Sequence, residues 1–422
     1  AIGYDSRIKS DLFARVAAEV FGANDVKVFL WPQLMPVPTV SFATRYLKTS
    51  AGVMITASHN PAKYNGYKVY GPDGCQITTA ASGEILEEIE KLDVFEDVSR
   101  VDFETALGSG TIEYIAPQVY TAFVEAAKGE SVLFGDRVDR NVAIVYTPLN
   151  GSGLKPVTRT LEEMGYTNIT VVPEQAQPDG HFPNHIPNPE NEEAMRSISA
   201  AVVKVGADLG VIFDADCDRA AIVDHSGREI NRNRLIALIS AILLDKMPGA
   251  TIVTDSVTSS GLAKFIMEWG GEHYRYKRGY RNVIDEAIRL NEAGINCPLA
   301  IETSGHAALR ENHFLDDGMY LVTVLICEAM RLKQEGKELS SLIADLQEPI
   351  DSAEIRMNIT QEDFRAAGRA AIEKVMDHAA FAPGWHIAPD NREGVRINFD
   401  LDGGMNNGWF LLRLSVHDPV LP

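Results

Sequence analysis

Cysteine is scarce in this chain. Four occur in 422 residues, Cys75, Cys217, Cys297 and Cys327, with no CxxC pair and no regular spacing. That argues against a disulfide framework and for reduced, incidental thiols in a cytoplasmic protein. Long apolar runs are also missing. None approaches the ~18 residues that a membrane span requires, and no signal-peptide pattern is visible, so no membrane partner is expected. Basic residues are in the minority: 39 Lys and Arg against 59 Asp and Glu give a net charge of −20. Such a balance speaks against a nucleic-acid or anionic-membrane surface. An acidic chain can still take an anionic small molecule, provided a local cationic pocket or a metal supplies the opposite charge. Low-complexity linkers are absent, so the domains are expected to pack around shared clefts. A leading Met is absent too. The chain opens on strand-like Ala1-Ile2-Gly3-Tyr4, and its native N-terminus is expected upstream.

What is present is ordinary globular material. The hydrophobic fraction is 45% and the charged fraction 23%, enough for several cores, and the length suits three or four domains of ~100–150 residues each. One pattern occurs three times. Ile2-Gly3-Tyr4-Asp5 leads, six residues after Tyr4, to Ser10-Asp11-Leu12. Val142 to Tyr146 leads likewise to Ser152-Gly153-Leu154, and Ile252-Val253-Thr254 to Ser260-Gly261-Leu262. Each is an apolar strand, a polar turn and a helix with apolar residues at helical spacing: Leu12, Val16, Val20; Leu154, Val157, Leu161, Met164; Leu262, Phe265, Ile266, Trp269. The repeat predicts three similar α/β domains with mixed sheets. After Pro349 the character changes. Strands are expected at Ile355–Ile359, Val395–Phe399 and Trp409–Leu414, with a helix over about 361–379, as a smaller C-terminal α+β domain. The expected boundaries are 1–138, 139–228, 229–346 and 347–422, around a central cleft.

Four stretches carry chemistry. Thr56-Ala57-Ser58-His59-Asn60-Pro61 follows the apolar run Gly52-Val53-Met54-Ile55, which reads as a buried parallel strand. Ser58 therefore stands at the carboxyl edge of a sheet, where open α/β folds bind ligands. Lys68, ten residues on, can return toward it; the alternative is an ordinary strand-to-loop turn. Asp214-Ala215-Asp216-Cys217-Asp218-Arg219 lies between the apolar strands Leu209–Phe213 and Ala220–Val223. Three carboxylates in five residues repel one another unless a cation sits among them. Asp oxygens suit Mg²⁺, whereas an EF-hand is excluded because Arg219 and His225 stand where its glycine and bidentate Glu belong. Arg219 reads as a fixed counter-charge or phosphate contact. Glu302-Thr303-Ser304-Gly305-His306 ends another buried strand and offers acceptor, donor and titratable groups to sugar hydroxyls, with His306 able to move a proton. Finally, Arg413-Leu414-Ser415-Val416-His417-Asp418-Pro419 brings a guanidinium fork and small donors that suit phosphate. The cationic run Tyr276-Lys277-Arg278-Gly279-Tyr280-Arg281 is a further candidate, with solvated surface as its alternative.

Together these stretches resemble the α-D-phosphohexomutase family. Thr56–Pro61 is similar to its phosphoserine loop, Asp214–Arg219 to its metal loop and Glu302–His306 to its sugar loop. Gly394-Val395-Arg396, Gly408-Trp409 and Arg413-x-Ser415 look like its C-terminal phosphate-binding domain. The resemblance runs the length of the chain in the family's order. It implies that Ser58 carries a phosphoryl group and that Ser58, Asp214, Asp216 and Asp218 hold Mg²⁺. The substrate would be a hexose monophosphate, mannose and/or glucose, handled through a 1,6-bisphosphate that also serves as activator. Arg219 would neutralise charge, Lys68 and His306 would transfer protons, and His59 would act from behind the serine. Glu302 and Ser304 would grip hydroxyls; Arg413, Ser415 and His417 would grip the distal phosphate. Departures from the family pattern are plain. Val416, His417 and Asp418 replace Gly, Thr and Glu of its phosphate loop. Asp255-Ser256-Val257 carries no lysine where relatives have one, a gap that Lys277 or Arg281 would fill. The family's N-terminal and C-terminal extensions lie outside residues 1–422. Arg7 is read as scaffold.

Two rivals remain open on sequence alone. Val211-Ile212-Phe213-Asp214-Ala215-Asp216 looks like the first motif of a haloacid-dehalogenase-type phosphatase, though a third Asp and Arg219 are extra and no later Lys or acidic motif follows at suitable spacing. A catalytically silent sugar-phosphate binder is the other. The residues do not separate mannose from glucose, and a monomer or a homodimer is equally compatible.

Overall fold

The structure, a computed structural model, describes residues 1–129, 140–415 and 418–422. The chain forms two compact units, Ala1–Leu235 with Ser304–Leu342 and Ile236–Thr303 with Ile343–Pro422. The expected boundary at 138 and 139 lies outside the described residues.

The first unit holds two five-stranded mixed sheets. In one, the order is Tyr67–Tyr70, Gly52–Ile55, Ile2–Tyr4, Val28–Leu30, Ile112–Tyr114. In the other it is Glu229–Ile230, Ala220–Asp224, Leu209–Phe213, Ile144–Thr147, Ile169–Val171. Each core is parallel, and in each the strand that leads into a chemical loop is followed by an antiparallel partner. Gly52–Ile55 pairs with Tyr67–Tyr70 in the register Ile55 to Tyr67. Leu209–Phe213 pairs with Ala220–Asp224 in the register Phe213 to Ala220. The serine stretch and the three-aspartate stretch are therefore both connections across the carboxyl edge of a mixed sheet. All residues of Gly52–Ile55, Leu209–Phe213 and Ala220–Asp224 are buried, as the continuous apolar runs require.

Helices lock these strands from behind. Glu192–Val205 starts at Asn191, whose side chain accepts from the amides of Glu193 and Ala194, and stops at Gly206 in the left-handed region (φ 68°). It buries Ala194, Met195, Ile198 and Val202 against the sheet. Full burial of a residue such as Ile198 contributes roughly 1.5–3 kcal/mol. Gly318–Gln334 is apolar nearly all round and is capped by Asp317, which accepts from the Tyr320 amide at 3.0 Å.

The second unit contains the third parallel set, Glu272–Arg275, Thr251–Thr254 and Leu299–Ile301, with Thr251–Thr254 in the centre. Its C-terminal part has an antiparallel sheet Trp385–Ile387, Val395–Leu401, Gly404–Leu412, covered by helix Phe364–Ala379 through Ala379, Val395 and Ile397. Three α/β segments plus a smaller α+β segment agree with the fold class read from the sequence.

Two sequence expectations need correction. Helix Ser10–Ala23 does not bury Leu12, Val16 and Val20. It buries Ser10, Ala14 and Ala18, while Leu12 is 46% exposed. Small side chains let this helix approach its sheet, so the larger residues are displaced to the flank. The expected strand Ile355–Ile359 shrinks to an exposed pair, Met357–Asn358, held by Val420–Leu421. Ile355 is 71% and Met357 46% exposed.

Candidate active site

Ser58 follows strand Gly52–Ile55 by three residues and adopts the left-handed conformation, φ 50°. Its amide donates to Thr56 Oγ1 at 2.8 Å, which turns the chain back on itself. The hydroxyl is thereby aimed at the neighbouring sheet. Ser58 Oγ donates to Asp214 Oδ2 at 2.9 Å although 156 residues separate them, and the serine is only 6% exposed. His59 Nδ1 lies 3.3 Å from the same oxygen. Burial, and then the Arg219 charge, push the His59 pKa down to about 3. His59 is thus a neutral neighbour of the serine.

Asp214, Asp216 and Asp218 are all buried, and carboxylate oxygens from the three lie within 4.8 Å of one another. The turn that returns Asp218 to the cluster is made at Cys217, φ 62°. Burial raises Asp214 well above the usual carboxylate range, and Asp216 and Asp218 add to the shift. Burial opposes ionisation at Asp218 as well, but Lys68, His306 and Arg219 outweigh it and the net direction is down. Lys68 Nζ contacts Asp216 Oδ2 at 2.9 Å and Asp218 Oδ2 at 2.6 Å, so it reaches the aspartates and not the serine. The outer oxygens Asp216 Oδ1 and Asp218 Oδ1 are buried and accept no hydrogen bond. Buried carboxylate oxygens left without donors fit a hard divalent cation. The acidic triad is a site that could hold a metal.

The loop is pressed from three sides. Ser152 donates to the Ala215 carbonyl through its amide and its hydroxyl, both at 2.8 Å. The Val37 amide donates to the Asp216 carbonyl at 2.8 Å. A Cβ added to Gly151 would stand 2.5 Å from Ala215 backbone atoms, and one on Gly318 would stand 3.0 Å from the Cys217 carbonyl oxygen. Glycine at 151 is a packing requirement, and at 318 any side chain would be a tight fit.

Arg219 joins the parts. Its NH2 lies 3.4 Å from Ser58 Oγ, its Nε is 3.7 Å from Asp214 Oδ2, and the same Nε donates to His306 Nε2 at 2.9 Å. Because His306 Nε2 accepts, the ring proton sits on Nδ1, which faces Asp316 Oδ2 at 2.6 Å. Burial lowers the His306 pKa, but the Asp316 and Asp218 carboxylates reverse the sign and the net shift is upward. Both ring nitrogens are occupied, so His306 holds Arg219 in place. Asp316 was not visible as a partner in the sequence.

Ser58, His59, Lys68, Asp214, Asp216, Asp218, Arg219 and His306 are therefore brought together in the first unit. Ser304, also there, has a buried hydroxyl without a hydrogen-bond partner, suited to receive one. In the second unit Glu302 accepts from the Gly279 amide at 2.6 Å. Burial, then Glu302, raise Asp255 to about 7. The members of the cationic run have different contacts. Lys277 lies over the Tyr276 ring, and Arg281 pairs with Asp285 on its own helix. Arg278 is the member that acts on Asp255 and Arg413, and its amide donates to Glu393. Ser256, where a lysine was missed, also donates to Glu393. Arg413 is partly buried, which lowers its pKa, and Ser415 Oγ accepts from the Asp418 amide at 3.3 Å. His417 lies outside the described residues.

Comparison with known proteins gives the family. Sequence models of phosphoglucomutase/phosphomannomutase α/β/α domains I, II and III match residues 1–95, 119–227 and 231–350 in that order. The chain belongs to the phosphoglucomutase/phosphomannomutase family, the α-D-phosphohexomutases. Among curated family members it is 29% identical to the phosphomannomutase/phosphoglucomutase of Pseudomonas aeruginosa over 392 residues, 92% of this chain and 75% of that one. It is 29% identical to a phosphoglucomutase of Staphylococcus epidermidis over 384 residues, 89% and 69% of the two chains. A family structure from Burkholderia thailandensis superposes with a TM-score of 0.77 at 25% identity, covering 100% of this chain and 83% of that one. A phosphomannomutase structure from Thermus thermophilus shares the fold with a TM-score of 0.74 at 22% identity, covering 98% and 84%. Among the described residues no helix is long and apolar enough to cross a membrane.

Proposed function

We propose that this chain moves a phosphoryl group reversibly between the 1- and 6-positions of a hexose phosphate, mannose and/or glucose, with Ser58 as the carrier. The observation that supports this most directly is the contact of Ser58 Oγ with Asp214 Oδ2, 2.9 Å, beside two further buried carboxylates and Arg219. In the phosphorylated form, the bond between Ser58 Oγ and phosphorus breaks as the free hydroxyl of the sugar monophosphate bonds to phosphorus. The hydroxyl proton would pass to Lys68 in its neutral amine form, once the ammonium that pairs with Asp216 and Asp218 has released a proton to solvent. The resulting 1,6-bisphosphate turns over and returns its other phosphoryl group to Ser58; added bisphosphate would act as activator by the same route.

Little covalent work is asked of the protein, because phosphoryl transfer depends on positioning and charge neutralisation. Mg²⁺, which Ser58, Asp214, Asp216 and Asp218 would hold, supplies positive charge to the phosphoryl oxygens. Arg219 adds a fixed guanidinium on the serine side. His306 orients that guanidinium through Nε2 and is itself oriented by Asp316. The low exposure of Ser58 keeps water from the phosphoserine. Glu302 and Ser304 would grip sugar hydroxyls. Arg413 and Ser415, with Arg278 in place of the lysine that relatives carry, would grip the phosphate not being transferred. The segments 1–138, 139–228, 229–346 and 347–422 are proposed as the four domains, in a cytoplasmic monomer or homodimer.

The test is kcat/KM for mannose, glucose and glucosamine 1-phosphates with Mg²⁺ and a hexose 1,6-bisphosphate, together with the position of the phosphoryl label. An acid-stable phosphate on Ser58, absent from Ser58→Ala, is expected. A hydroxylamine-labile label on Asp214 would instead mark an aspartyl phosphatase. Equal kcat/KM for mannose and glucose would mark dual specificity.

A further inference from the structure

Arg7 is buried, 3% exposed, and its guanidinium is spent almost wholly on the loop that carries Ser58. NH2 donates to the Ser58 carbonyl at 2.5 Å and to the Asn60 carbonyl. NH1 donates to the carbonyls of Pro61 at 3.1 Å and Tyr64 at 2.9 Å. Nε faces Asp5 Oδ2 at 3.4 Å, and Asp5 in turn accepts from Thr56 Oγ1 at 2.7 Å and Ser10 Oγ at 2.8 Å. The two residues thus hold both ends of the serine loop, Thr56 through Asp5 and residues 58 to 64 through Arg7.

That grip coincides with backbone strain. A serine at φ 50° is in a region that L residues enter at a cost of about 1–3 kcal/mol, and such a conformation persists only where the surroundings over-determine it. The Ser58 carbonyl is the group that rotates outward when φ relaxes, and that carbonyl is the one Arg7 NH2 holds.

Arg7 is held in turn from the second sheet's segment. The Phe182 ring lies under its guanidinium, 5.0 Å from centroid to Cζ. Phe182 is itself in the left-handed region, φ 47°, and its amide donates to Asp179. Two residues earlier, Gly180 meets the backbone of Ser6, Arg7 and Ile8 so closely that a Cβ there would stand 2.5 Å from the Ile8 nitrogen. Ser6 Oγ donates to the Asn150 carbonyl at 3.0 Å, next to the loop that presses on the metal site. One brace therefore reaches the phosphoryl carrier and the edge of the sheet that bears the aspartates.

We propose that Arg7 is a positioning residue for phosphoryl transfer, keeping Ser58 in its left-handed conformation, and that Phe182 fixes Arg7 for that purpose. The inference rests on the reading of Ser58 as the carrier. Lysine cannot reproduce it, since a single ammonium lacks the planar fork that spans four carbonyls. The experiment is single-turnover phosphorylation of the dephosphorylated full chain by glucose 1,6-bisphosphate with Mg²⁺, followed by intact mass. It is run on wild type, Arg7→Lys and Phe182→Leu, with KM for glucose 1-phosphate, melting temperature and Mn²⁺ affinity measured on each. A misplaced nucleophile costs on the order of 10²-fold, so Arg7→Lys is expected to slow phosphorylation about 100-fold and Phe182→Leu about tenfold. KM and Mn²⁺ affinity should stay within about twofold of wild type in the folded fraction, because neither residue contacts the three aspartates, and Arg7 holds the Ser58 carbonyl, not the hydroxyl that would meet the metal. Phosphorylation of Arg7→Lys within twofold of wild type overturns the proposal. So does a slowing matched by loss of Mn²⁺ binding, which marks general damage to the site. If Arg7→Lys does not fold, Phe182→Leu decides, and a wild-type rate in that variant overturns it. A wild-type chain that takes no phosphate on Ser58 overturns the functional reading itself, a result separable from both.

Discussion

His59 stands beside the proposed phosphoryl carrier, yet its environment keeps it from acting as an acid. Its folded pKa is about 3 because burial, then the Arg219 charge, disfavour the imidazolium, whereas an unfolded chain gives histidine its ordinary value near 6.5. The unfolded state therefore binds a proton over a range in which the folded state does not. The stability from a neutral His59 is present in full above pH 6.5 and is lost as pH falls from 6.5 toward 3. Replacing it removes the linkage. Chemical denaturation of wild type and His59→Gln between pH 7 and pH 4 is expected to show the wild type losing relative stability by about 3 kcal/mol at most. Parallel curves would show that His59 titrates normally in the folded protein. At this scale the sequence was informative only where partners are close in the chain. Three aspartates in five residues announce a cation site, but Arg7 and Ser58 are 51 positions apart and nothing local links them. Asp316 was hidden for the same reason: it pairs with His306 across a turn and reads in sequence as the neighbour of a helix cap.

Elements place these residues through two glycines that have no side chain to show. Gly151 lies in the turn after strand Ile144–Thr147, and Gly318 opens helix Gly318–Gln334; both abut the backbone of the aspartate loop. The two contacts differ in severity. Beside Gly151 a methyl would meet Ala215 backbone atoms at 2.5 Å, a distance that real structures do not tolerate. Beside Gly318 it would meet the Cys217 carbonyl oxygen at 3.0 Å, which a small shift relieves. Overpacking costs typically about 1–3 kcal/mol. Gly318→Ala is expected to fold, with a melting temperature lower by a few degrees and Mn²⁺ affinity weaker by about tenfold, since carboxylate geometry sets divalent-ion binding. Gly151→Ala is expected to lose Mn²⁺ binding altogether. Equal, unchanged affinities in both would show that the loop is not held from these sides. The strands and the mixed-sheet design were legible, because continuous apolar runs have one reading at the centre of a sheet. The buried face of Ser10–Ala23 was not, because alanines carry no hydropathy signal strong enough to outweigh Leu12 and Val20. Arg278 at the helix entry acts on Asp255 and Arg413, whereas Lys277 and Arg281 flank it.

At the scale of the whole molecule, a net charge of −20 opposes the approach of any anionic sugar phosphate. The groups proposed to bind it act at hydrogen-bond range, as Arg219 does 3.4 Å from Ser58 Oγ. The two fields have different reach. Mobile ions screen exposed charges beyond about 8 Å at physiological ionic strength, while buried contacts are screened far less. Added monovalent salt should therefore weaken the long-range repulsion and leave the bound complex largely intact. Electrostatic fields change encounter rates by factors of about 10 to 10³ in strongly steered cases, so a repulsive net charge moderated by local cations is expected to give a two- to tenfold effect. For glucose 1-phosphate at saturating Mg²⁺, kcat/KM should rise between low salt and about 0.15 M KCl, with kcat steady within about twofold. The opposite slope would mean that the local cationic groups, not the net charge, govern the encounter. A fall in kcat along with kcat/KM would place the salt effect on the Arg219 and Lys68 contacts themselves. The same balance bears on the expectation that the chain takes no nucleic-acid partner. A polyanion must lie along many residues of the surface, where the excess of 59 acidic over 39 basic side chains acts, whereas a single phosphate needs only one pocket.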